Sequence, residues 1–133
     1  KESSAASDVY KRQPVNKPGI SNSIVELVDL FPTACEMVGV QTPSSVQGSS
    51  LLPILKDPKK QVKNSALSFI PKGTSMRTEK WAYMKYKDGA EELYDMKNDP
   101  KQFKNLIVND HYSPVLNKLR NQFKTETKLI SFR

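Results

Sequence analysis

The chain has 133 residues, of which 37% are hydrophobic and 26% charged, and it carries a formal charge of +7 at pH 7. That length suits one small domain or one piece of a larger protein, and the composition is that of neither a membrane span nor a typical disordered tail. No apolar run approaches the ~20 residues of a membrane-spanning helix, and the N-terminal residues have no apolar core that could serve as a signal peptide or other targeting segment.

The 21 basic residues outnumber the 14 acidic residues, which permits contact with polyanions such as nucleic acid or sulfated glycan. The lysines are scattered, mainly over residues 56–63, residues 97–104 and the last helical stretch. A binding surface should gather its cations on one face. Solvated surface is therefore the favoured interpretation, and an anion-facing patch is the alternative.

The first thirteen residues have no periodicity. The stretch SSAASDVYKRQ, residues 3–13, resembles the in-frame translation of a transposase adapter used in shotgun sequencing libraries. We therefore expect residues 1–13 to be a non-native tail that takes no part in the fold, with a native disordered tail as the alternative. Residues 14–23 follow as an extended linker, because two prolines and a glycine interrupt regular structure there.

Residues 24–56 are predicted to be a helical segment, because apolar side chains recur at the spacing of a buried helical face. These side chains are Ile24, Leu27, Val28, Phe31, Ala34, Cys35 and Val38. Pro32 lies inside the run and predicts a kink or two short helices. Gly39 is well placed to end the helix.

A second short helix is predicted after a loop rich in turn-forming residues. Gly48 is expected to adopt a positive φ, Ser49 or Ser50 to cap the helix, and Asp57-Pro58 to end it. The single cysteine, Cys35, excludes an internal disulfide. Its apolar surroundings favour a small buried thiol over a nucleophile.

Residues 57–133 are predicted to form an α+β subdomain, in which a small antiparallel sheet of three to four strands is packed by helices. The hydrophobic period changes to two in SALSFI, TSMRT, KWAYMKY and ELYD, which favours short strands. Lys87-Asp88-Gly89 is a hairpin signal. A sheet of this size needs a cover on its apolar face.

The last helical stretch is expected to supply that cover, because its apolar residues recur at helical spacing. They are Val115, Leu116, Leu119 and Phe123. Ser113 is the expected N-terminal cap, with Pro114 in the first helical position. His111 stands alone in a polar loop and is expected to be a surface residue.

The stretch EELYDMKNDPKQFKNL, residues 91–106, has no pattern of catalytic residues and is predicted to be a strand-to-helix joint. Asn98-Asp99-Pro100 should form a turn in which the aspartate side chain accepts backbone N–H groups. A short helical turn through residues 101–103 is expected next, ending at Asn105-Leu106.

The acidic pairs predict no catalytic or metal-binding residue in this chain. Glu91 and Glu92 are adjacent on a strand and should point to opposite faces. Glu26 and Asp29 are three residues apart on a helix, and we interpret them as a polar edge. Arg77 is the best remaining candidate for contact with an anionic substrate, because its planar fork suits sulfate or carboxylate. An ion pair on the sheet is the alternative.

Three stretches, in the right order, resemble the sulfatase family. ELYDMKNDPKQFKNL resembles the signature ELYDL-x-x-DP-x-E-x-x-NL near the C-terminus of sulfatases. VELVDLFPTACEMVGVQTPSSVQGSSLLPIL resembles the family's V-x-L-V-D-L-x-P-T…G…P…G-x-S-L-x-P-L block, and SMRTEKWAYMKY resembles its R-T-x-x-x-[KR]-Y-x strand pair. The resemblance covers about residues 22–106 and looks most like the iduronate-sulfatase-like branch. Gln102-Phe103 and Trp81-Ala82 depart from the family pattern, which weakens the branch assignment.

The resemblance implies the C-terminal subdomain of an alkaline-phosphatase-like α/β sulfatase. Such enzymes hydrolyse sulfate esters with a formylglycine, made from the first residue of C-x-P-S-R or S-x-P-S-R, and with a calcium ion that stabilises the sulfate oxygens. Neither motif occurs here, and Cys35 is followed by Glu-Met-Val-Gly. Calcium and formylglycine are therefore expected only in a longer parent, and this chain alone is expected to bind neither and to be inactive.

The resemblance also implies a missing N-terminal catalytic domain that docks on residues 24–56, so the helix over residues 24–38 should expose an apolar face. A sulfated glycan substrate and a periplasmic or secreted location are implied for the parent, with no nucleic acid partner. Two other functions remain open. The chain could be a stand-alone basic module that binds sulfated glycan or nucleic acid, or a fragment of a related phosphatase or phosphodiesterase.

Overall fold

The computed structural model describes residues 19–131. The chain divides between Lys63 and Asn64 into two compact units. The predicted adapter-derived tail, residues 1–13, and the first part of the predicted linker, residues 14–18, lie outside the described residues. No helix within residues 19–131 is long and apolar enough to cross a lipid bilayer.

The first unit contains a 3-10 helix at Leu27–Asp29, helix α1 at Leu30–Met37 and helix α2 at Leu52–Lys56. The predicted division of the apolar run into two short helices is therefore confirmed. Pro32 lies in the first turn of α1, where a missing N–H costs no helical hydrogen bond. The first two helices meet end to end, so the chain changes helix type before the proline rather than kinking at it.

Two glycines in this unit are needed for different reasons. Gly39 ends α1 with a φ of 72°, and the following N–H, from Val40, donates to the Cys35 carbonyl oxygen at 2.9 Å, which confirms the predicted helix stop. The positive φ predicted for Gly48 is wrong. Gly48 is required by close approach instead, because a Cβ there would lie 2.0 Å from the Val28 carbonyl oxygen.

The start of α2 also differs from the prediction. Leu51 occupies the N-cap position and makes no side-chain capping bond. Ser50 lies one residue earlier, and its Oγ accepts the Leu52 N–H at 3.2 Å. The helix ends at Asp57, as expected.

The second unit begins with a four-stranded antiparallel sheet in the order β1-β2-β3-β4. The strands are β1 at Ser65–Ile70, β2 at Gly73–Thr78, β3 at Trp81–Tyr86 and β4 at Glu91–Asp95. All four coincide with the segments predicted from the period-two pattern, which confirms the α+β class. The predicted β3–β4 hairpin turn is also present, with Gly89 at a φ of 92° and the Asp88 carboxylate accepting the Ala90 N–H at 2.9 Å.

Helix α3, Ser113–Ser131, covers one face of the sheet, as predicted. The strand register aligns one residue from each strand in a single row, namely Leu67, Met76, Tyr83 and Leu93. Leu116, Leu119 and Phe123 of α3 complete the buried cluster with them. The Phe123 ring meets the Tyr83 ring edge to face, with centroids 5.3 Å apart, a geometry that aromatic pairs favour.

The cap predicted for α3 is wrong. A 3-10 helix, Asp110–Tyr112, leads directly into α3, and the Asn109 side chain caps it by accepting the His111 N–H at 3.1 Å. Ser113 already has helical backbone angles, φ −52° and ψ −42°. Asparagine is as good a cap as serine, so helical structure begins at the earlier of the two available cap residues.

The joint after β4 replaces a fifth strand at the outer edge of the sheet. Leu106 donates its N–H to the Leu93 carbonyl oxygen at 2.8 Å. Asn105 Oδ1 accepts the Leu93 N–H at 3.0 Å and the Ile107 N–H at 3.1 Å. An edge strand otherwise leaves backbone groups unpaired, so the Asn-Leu pair closes the middle of β4.

The helical turn predicted over residues 101–103 does not form. Gln102 has a φ of 59°, which lies in the left-handed region and interrupts a right-handed helix. The Asp99 carboxylate accepts the N–H groups of Phe103 at 3.1 Å and Lys104 at 2.8 Å. The predicted acceptor role of Asp99 is confirmed, and it explains the missing helix because the side chain takes N–H groups that helical carbonyls would otherwise bind.

Replacing Asn105 with alanine should destabilise the second unit by about 1–3 kcal/mol, because the Leu93 N–H loses its acceptor. Urea unfolding followed by the fluorescence of Trp81, the only tryptophan, measures the change. The control is Asn117→Ala on the exposed side of α3, which should leave the unfolding midpoint unchanged or slightly higher. Equal midpoints for Asn105→Ala and the unaltered chain would contradict the proposed edge closure.

Candidate functional site

Arg77 lies in β2, opposite Ala66 of β1 and Ala82 of β3. Its neighbour Met76 is buried under α3, so Arg77 points to the other face of the sheet. The side chain is exposed and forms no hydrogen bond or ion pair within the described part of the chain. The alternative interpretation, an ion pair on the sheet, is therefore not observed, and contact with an anionic substrate stays a prediction.

The face that carries Arg77 also carries a tyrosine–carboxylate pair at its β4 side. The Tyr94 hydroxyl donates to Glu92 Oε2 at 3.2 Å. Burial raises the pKa of the Tyr94 phenol, and the nearby Glu92 carboxylate raises it further. Tyr94 therefore remains a neutral hydrogen-bond donor, and its partner carboxylate is already engaged.

Glu91 points to the opposite face, toward α3, so the prediction that the two adjacent glutamates diverge is confirmed. Its carboxylate accepts from both Nε and a terminal nitrogen of Arg120 and from the Tyr83 hydroxyl at 2.6 Å. The Arg120 guanidinium holds the pKa of Glu91 below its usual value, although partial burial opposes this. The Glu91 carboxylate therefore connects the sheet to α3.

Asp29 is the most buried acid among residues 19–131, with none of its surface exposed, so the interpretation of Glu26 and Asp29 as a polar edge is wrong. One carboxylate oxygen accepts the Glu26 N–H at 2.8 Å. The other accepts the Ser49 N–H at 2.8 Å and the Lys63 ammonium at 2.6 Å. The carboxylate thus joins three separate stretches of the first unit.

The protonation state of this cluster follows from competing effects. Burial raises the pKa of Asp29, but the Lys63 ammonium and the N–H groups of Ser49 and Glu26 outweigh it, so the net pKa is lowered. Burial lowers the pKa of Lys63, but its bonds to Asp29 and Glu26 outweigh that effect and raise it. Both groups are charged at neutral pH, and their ion pair stabilises the fold of the first unit.

Thr33 connects the backbone at Asp29 to the start of α2. Its hydroxyl donates to the Asp29 carbonyl oxygen at 2.5 Å and accepts the Leu51 N–H at 2.8 Å. The sequence analysis missed both Asp29 and Thr33 as structural residues. The sequence did contain a signal, which is a carboxylate inside an otherwise apolar run. An acid at such a position is buried only if it has a partner, so Asp29 could have been predicted to bind a cation or backbone N–H groups.

The other residues considered for chemistry are not brought together. Cys35 is a buried free thiol, as predicted. His111 is exposed, which confirms its surface position, and its ring meets Tyr112 edge to face with centroids 5.2 Å apart. Between residues 19 and 131, no group of three or more His, Cys, Asp or Glu side chains could hold a metal ion.

The first unit exposes a large share of its apolar side chains. The exposed ones are Ile20, Val25, Leu27, Val28, Leu30, Phe31, Met37, Val38 and Val40. Of the seven residues predicted to form a buried face, only Cys35 is buried. The apolar face that the family resemblance implied is therefore present and open, and patches of this kind mark interaction sites. We call this set the apolar surface.

Replacing Asp29 with asparagine should destabilise the first unit by about 1.5–3 kcal/mol near neutral pH, the range for a hydrogen bond to a charged group. The folded-state pKa of Asp29 lies below its ordinary value of 3.8, so the ionised carboxylate stabilises the fold above that pH. The contribution is lost as pH falls through the folded pKa. The difference in free energy of unfolding between the unaltered chain and Asp29→Asn should therefore become smaller below pH 3.8.

Amide hydrogen exchange across residues 27–51, measured from neutral to acidic pH, tests this expectation. Glu36→Gln removes a carboxylate from an exposed position in α1, the helix that follows Asp29, and should leave amide protection unchanged. If the difference in amide protection between Asp29→Asn and the unaltered chain is the same at every pH, the charge of Asp29 contributes nothing to the stability of the first unit.

Comparison with known proteins adds sequence relatives. The family described as "N-sulphoglucosamine sulphohydrolase, C-terminal" matches residues 8–128. The Delta 4,5-hexuronate-2-O-sulfatase of Bacteroides thetaiotaomicron is 34% identical in an alignment 99 residues long, and the match covers 67% of this chain and 21% of that protein. Human arylsulfatase K is 31% identical over 124 residues, covering 80% of this chain and 23% of that protein.

Solved structures show the same subdomain. A 2-O GAG sulfatase is 32% identical, with a TM-score of 0.65 over 75% of this chain and 24% of its own. A protein solved in complex with its substrate D-glucosamine-2-N,6-O-disulfate is 25% identical, with a TM-score of 0.69 over 75% of this chain and 23% of its own. This chain therefore spans less than a quarter of each of these relatives. The family match covers most of the sequence, and the chain belongs to the C-terminal family of N-sulphoglucosamine sulphohydrolase, the C-terminal subdomain of sulfatases.

Proposed function

We propose that this chain is the C-terminal part of a longer sulfatase that hydrolyses sulfate esters of a glycan. The observation that carries the proposal is the family match over residues 8–128 combined with coverage of only 21% and 23% of two sulfatase relatives. The remaining length of such a parent would hold the catalytic domain. The side-chain contacts support this division, because the polar clusters around Asp29 and Glu91 connect secondary-structure elements to one another.

The catalytic domain would dock on the apolar surface. The helices within residues 24–40 present leucine, valine, phenylalanine and methionine side chains to solvent while a buried ion pair holds their backbone in place. Burying such side chains contributes about 1.5–3 kcal/mol for each one fully covered. A rigid, open apolar face is what a subdomain needs in order to pack permanently against a larger partner in the same chain.

Formylglycine and calcium would belong to the catalytic domain. The residues of this chain do not fit either group, since Cys35 is buried and lies outside a C-x-P-S-R motif. Asp29, Glu91 and Glu92 are engaged by backbone N–H groups, lysine, arginine or tyrosine. The subdomain would therefore position and enclose the active centre without supplying its nucleophile or metal ligands.

We further propose a 2-O-sulfated uronic acid as the substrate class, in line with an iduronate-sulfatase-like branch. The support is the identity of 34% to a hexuronate-2-O-sulfatase and of 32% to a 2-O GAG sulfatase. A periplasmic or secreted parent fits a polymeric glycan substrate, which such an enzyme meets outside the cytoplasm. The related-phosphatase alternative predicts a different nucleophile motif in the catalytic domain.

The 133-residue chain alone should show no turnover of 4-nitrophenyl sulfate or of a 2-O-sulfated unsaturated disaccharide, with or without calcium, because its sequence contains neither C-x-P-S-R nor S-x-P-S-R. The contiguous gene upstream of Pro14 should encode C-x-P-S-R or S-x-P-S-R. Sulfate release by the isolated chain would overturn the proposal. An upstream catalytic domain without either motif would favour the phosphatase or phosphodiesterase alternative.

In the parent enzyme, Arg77→Ala should raise KM for the sulfated glycan, because the exposed guanidinium would contact an anionic group of the substrate. Losing a charged hydrogen bond worth about 1.5–3 kcal/mol corresponds to roughly tenfold to a hundredfold in KM, with kcat changed much less. Steady-state kinetics measure the split. Lys97→Ala, also an exposed cation, is the control, and an unchanged KM for Arg77→Ala would remove Arg77 from the substrate site.

A further inference from the structure

The outward side of helix α1 is apolar without interruption. Neighbouring residues of an α-helix lie about 100° apart around its axis, so residues 30, 31, 34, 37 and 38 fall within one arc of about 120°. All five side chains in that arc are apolar and exposed: Leu30, Phe31, Ala34, Met37 and Val38. The last of them is the residue that ends the helix. We call these five residues the α1 arc.

The other side of α1 is held by the first unit itself. Pro32, Thr33 and Cys35 are the buried residues of the helix. The Thr33 hydroxyl donates to the Asp29 carbonyl oxygen and accepts the Leu51 N–H, which fixes the helix against the chain that leads into α2. The α1 arc is therefore presented by a backbone that is already ordered, and an ordered surface loses little conformational entropy when it binds a partner.

The segment that carries the α1 arc has almost no charge of its own. The chain has 21 basic residues, but none of them lies in residues 18–55. That segment contains three acids, of which Glu26 and Asp29 bind Lys63. The third, Glu36, lies about 160° around the helix from the centre of the arc. The cores of protein interfaces are depleted of charged residues, and this segment meets that condition in a chain whose net charge is +7.

The α1 arc is complementary to itself in shape. Ala34, its smallest residue, lies at the centre. Leu30 and Phe31 come about one turn earlier, and the other two large residues come about one turn later. In an antiparallel pair with a two-fold axis at Ala34, the large residues before the alanine in one copy meet those after it in the other. A small residue at the crossing point allows the helix axes to approach to the short end of the usual range, about 8–10 Å.

We propose that the 133-residue chain forms a two-fold symmetric dimer in which the α1 arc packs against the α1 arc of a second copy. A second copy is the fitting occupant because the arc matches itself in shape and its segment brings no cation into the contact. Leu27 lies three residues before Leu30 and exposes 86% of its surface, so it extends the contact at both ends of the antiparallel pair. In a longer parent, the catalytic domain of the proposed function would compete with a second copy for this surface.

Sedimentation equilibrium of the chain between about 1 and 100 μM measures the dimer dissociation constant. Leu30→Gln/Val38→Gln makes the α1 arc polar and should raise that constant at least about a hundredfold, because a few central apolar residues carry most of an interface's affinity. Ile70→Gln/Val108→Gln changes two exposed aliphatic residues of the second unit and is the matched control, which should stay within about twofold of the unaltered chain. Far-UV circular dichroism checks that both variants remain folded.

A disulfide cross-link tests the two-fold geometry without making the arc polar. Cys35→Ala removes the single native thiol, and Ala34→Cys is then compared with Glu36→Cys, an exposed position on the other side of the same helix. Residues that face each other across a close helix crossing have Cα atoms within disulfide reach, about 4.4–6.8 Å. Under mild oxidation, Ala34→Cys should therefore form the covalent dimer at least about tenfold faster than Glu36→Cys.

Three results would overturn the proposal: a chain that is monomeric up to about 100 μM, equal weakening by both pairs of glutamines, or equal cross-linking at positions 34 and 36, which would indicate unordered association. If the arc variant does not fold, the cross-linking rates decide alone. The outcome is separable from the proposed function. An upstream gene without the sulfatase motif leaves a measured dimer standing, and a monomeric chain leaves the sulfatase assignment of the parent untouched.

Discussion

Side-chain oxygens that accept backbone N–H groups are the interaction on which both units of this chain depend. Short strands and one- or two-turn helices leave many backbone donors without a partner, and a buried unpaired donor costs about 1–3 kcal/mol. In the first unit the Asp29 carboxylate accepts the N–H groups of Glu26 and Ser49. In the second unit Asn105 accepts those of Leu93 and Ile107. Each acceptor fixes a loop that has no ladder or helix to hold it.

The need to pair backbone N–H groups explains why the order of residues 91–106 is specific although the stretch has no pattern of catalytic residues. Its acids and amides accept N–H groups from the turn that follows β4, and its final Asn-Leu pair closes the edge of that strand. The residues that carry the family resemblance in this stretch are therefore residues whose side chains accept backbone N–H groups. A motif of this kind identifies the scaffold and does not by itself identify a reaction.

Among residues 19–131, the exposed surfaces of the two units differ in character. The apolar surface of the first unit is held rigid by the buried Asp29–Lys63 pair and suits a permanent contact within a larger protein. The side of α3 opposite its buried residues is polar and exposed.

The spacing of hydrophobic residues and the turn-forming residues in the sequence were sufficient to predict the four strands, the β3–β4 hairpin, the end of α1 at Gly39 and the covering face of α3. Each of these features depends on residues that lie within a few positions of one another in the sequence. The tertiary structure alone decided the burial of Asp29, whose partners Ser49 and Lys63 lie 20 and 34 residues away. It also decided the close approach at Gly48, the left-handed Gln102 and the exposure of the apolar run before Gly39. Hydrophobic spacing shows that a helix has an apolar side, but which neighbour covers that side depends on packing between distant parts of the chain.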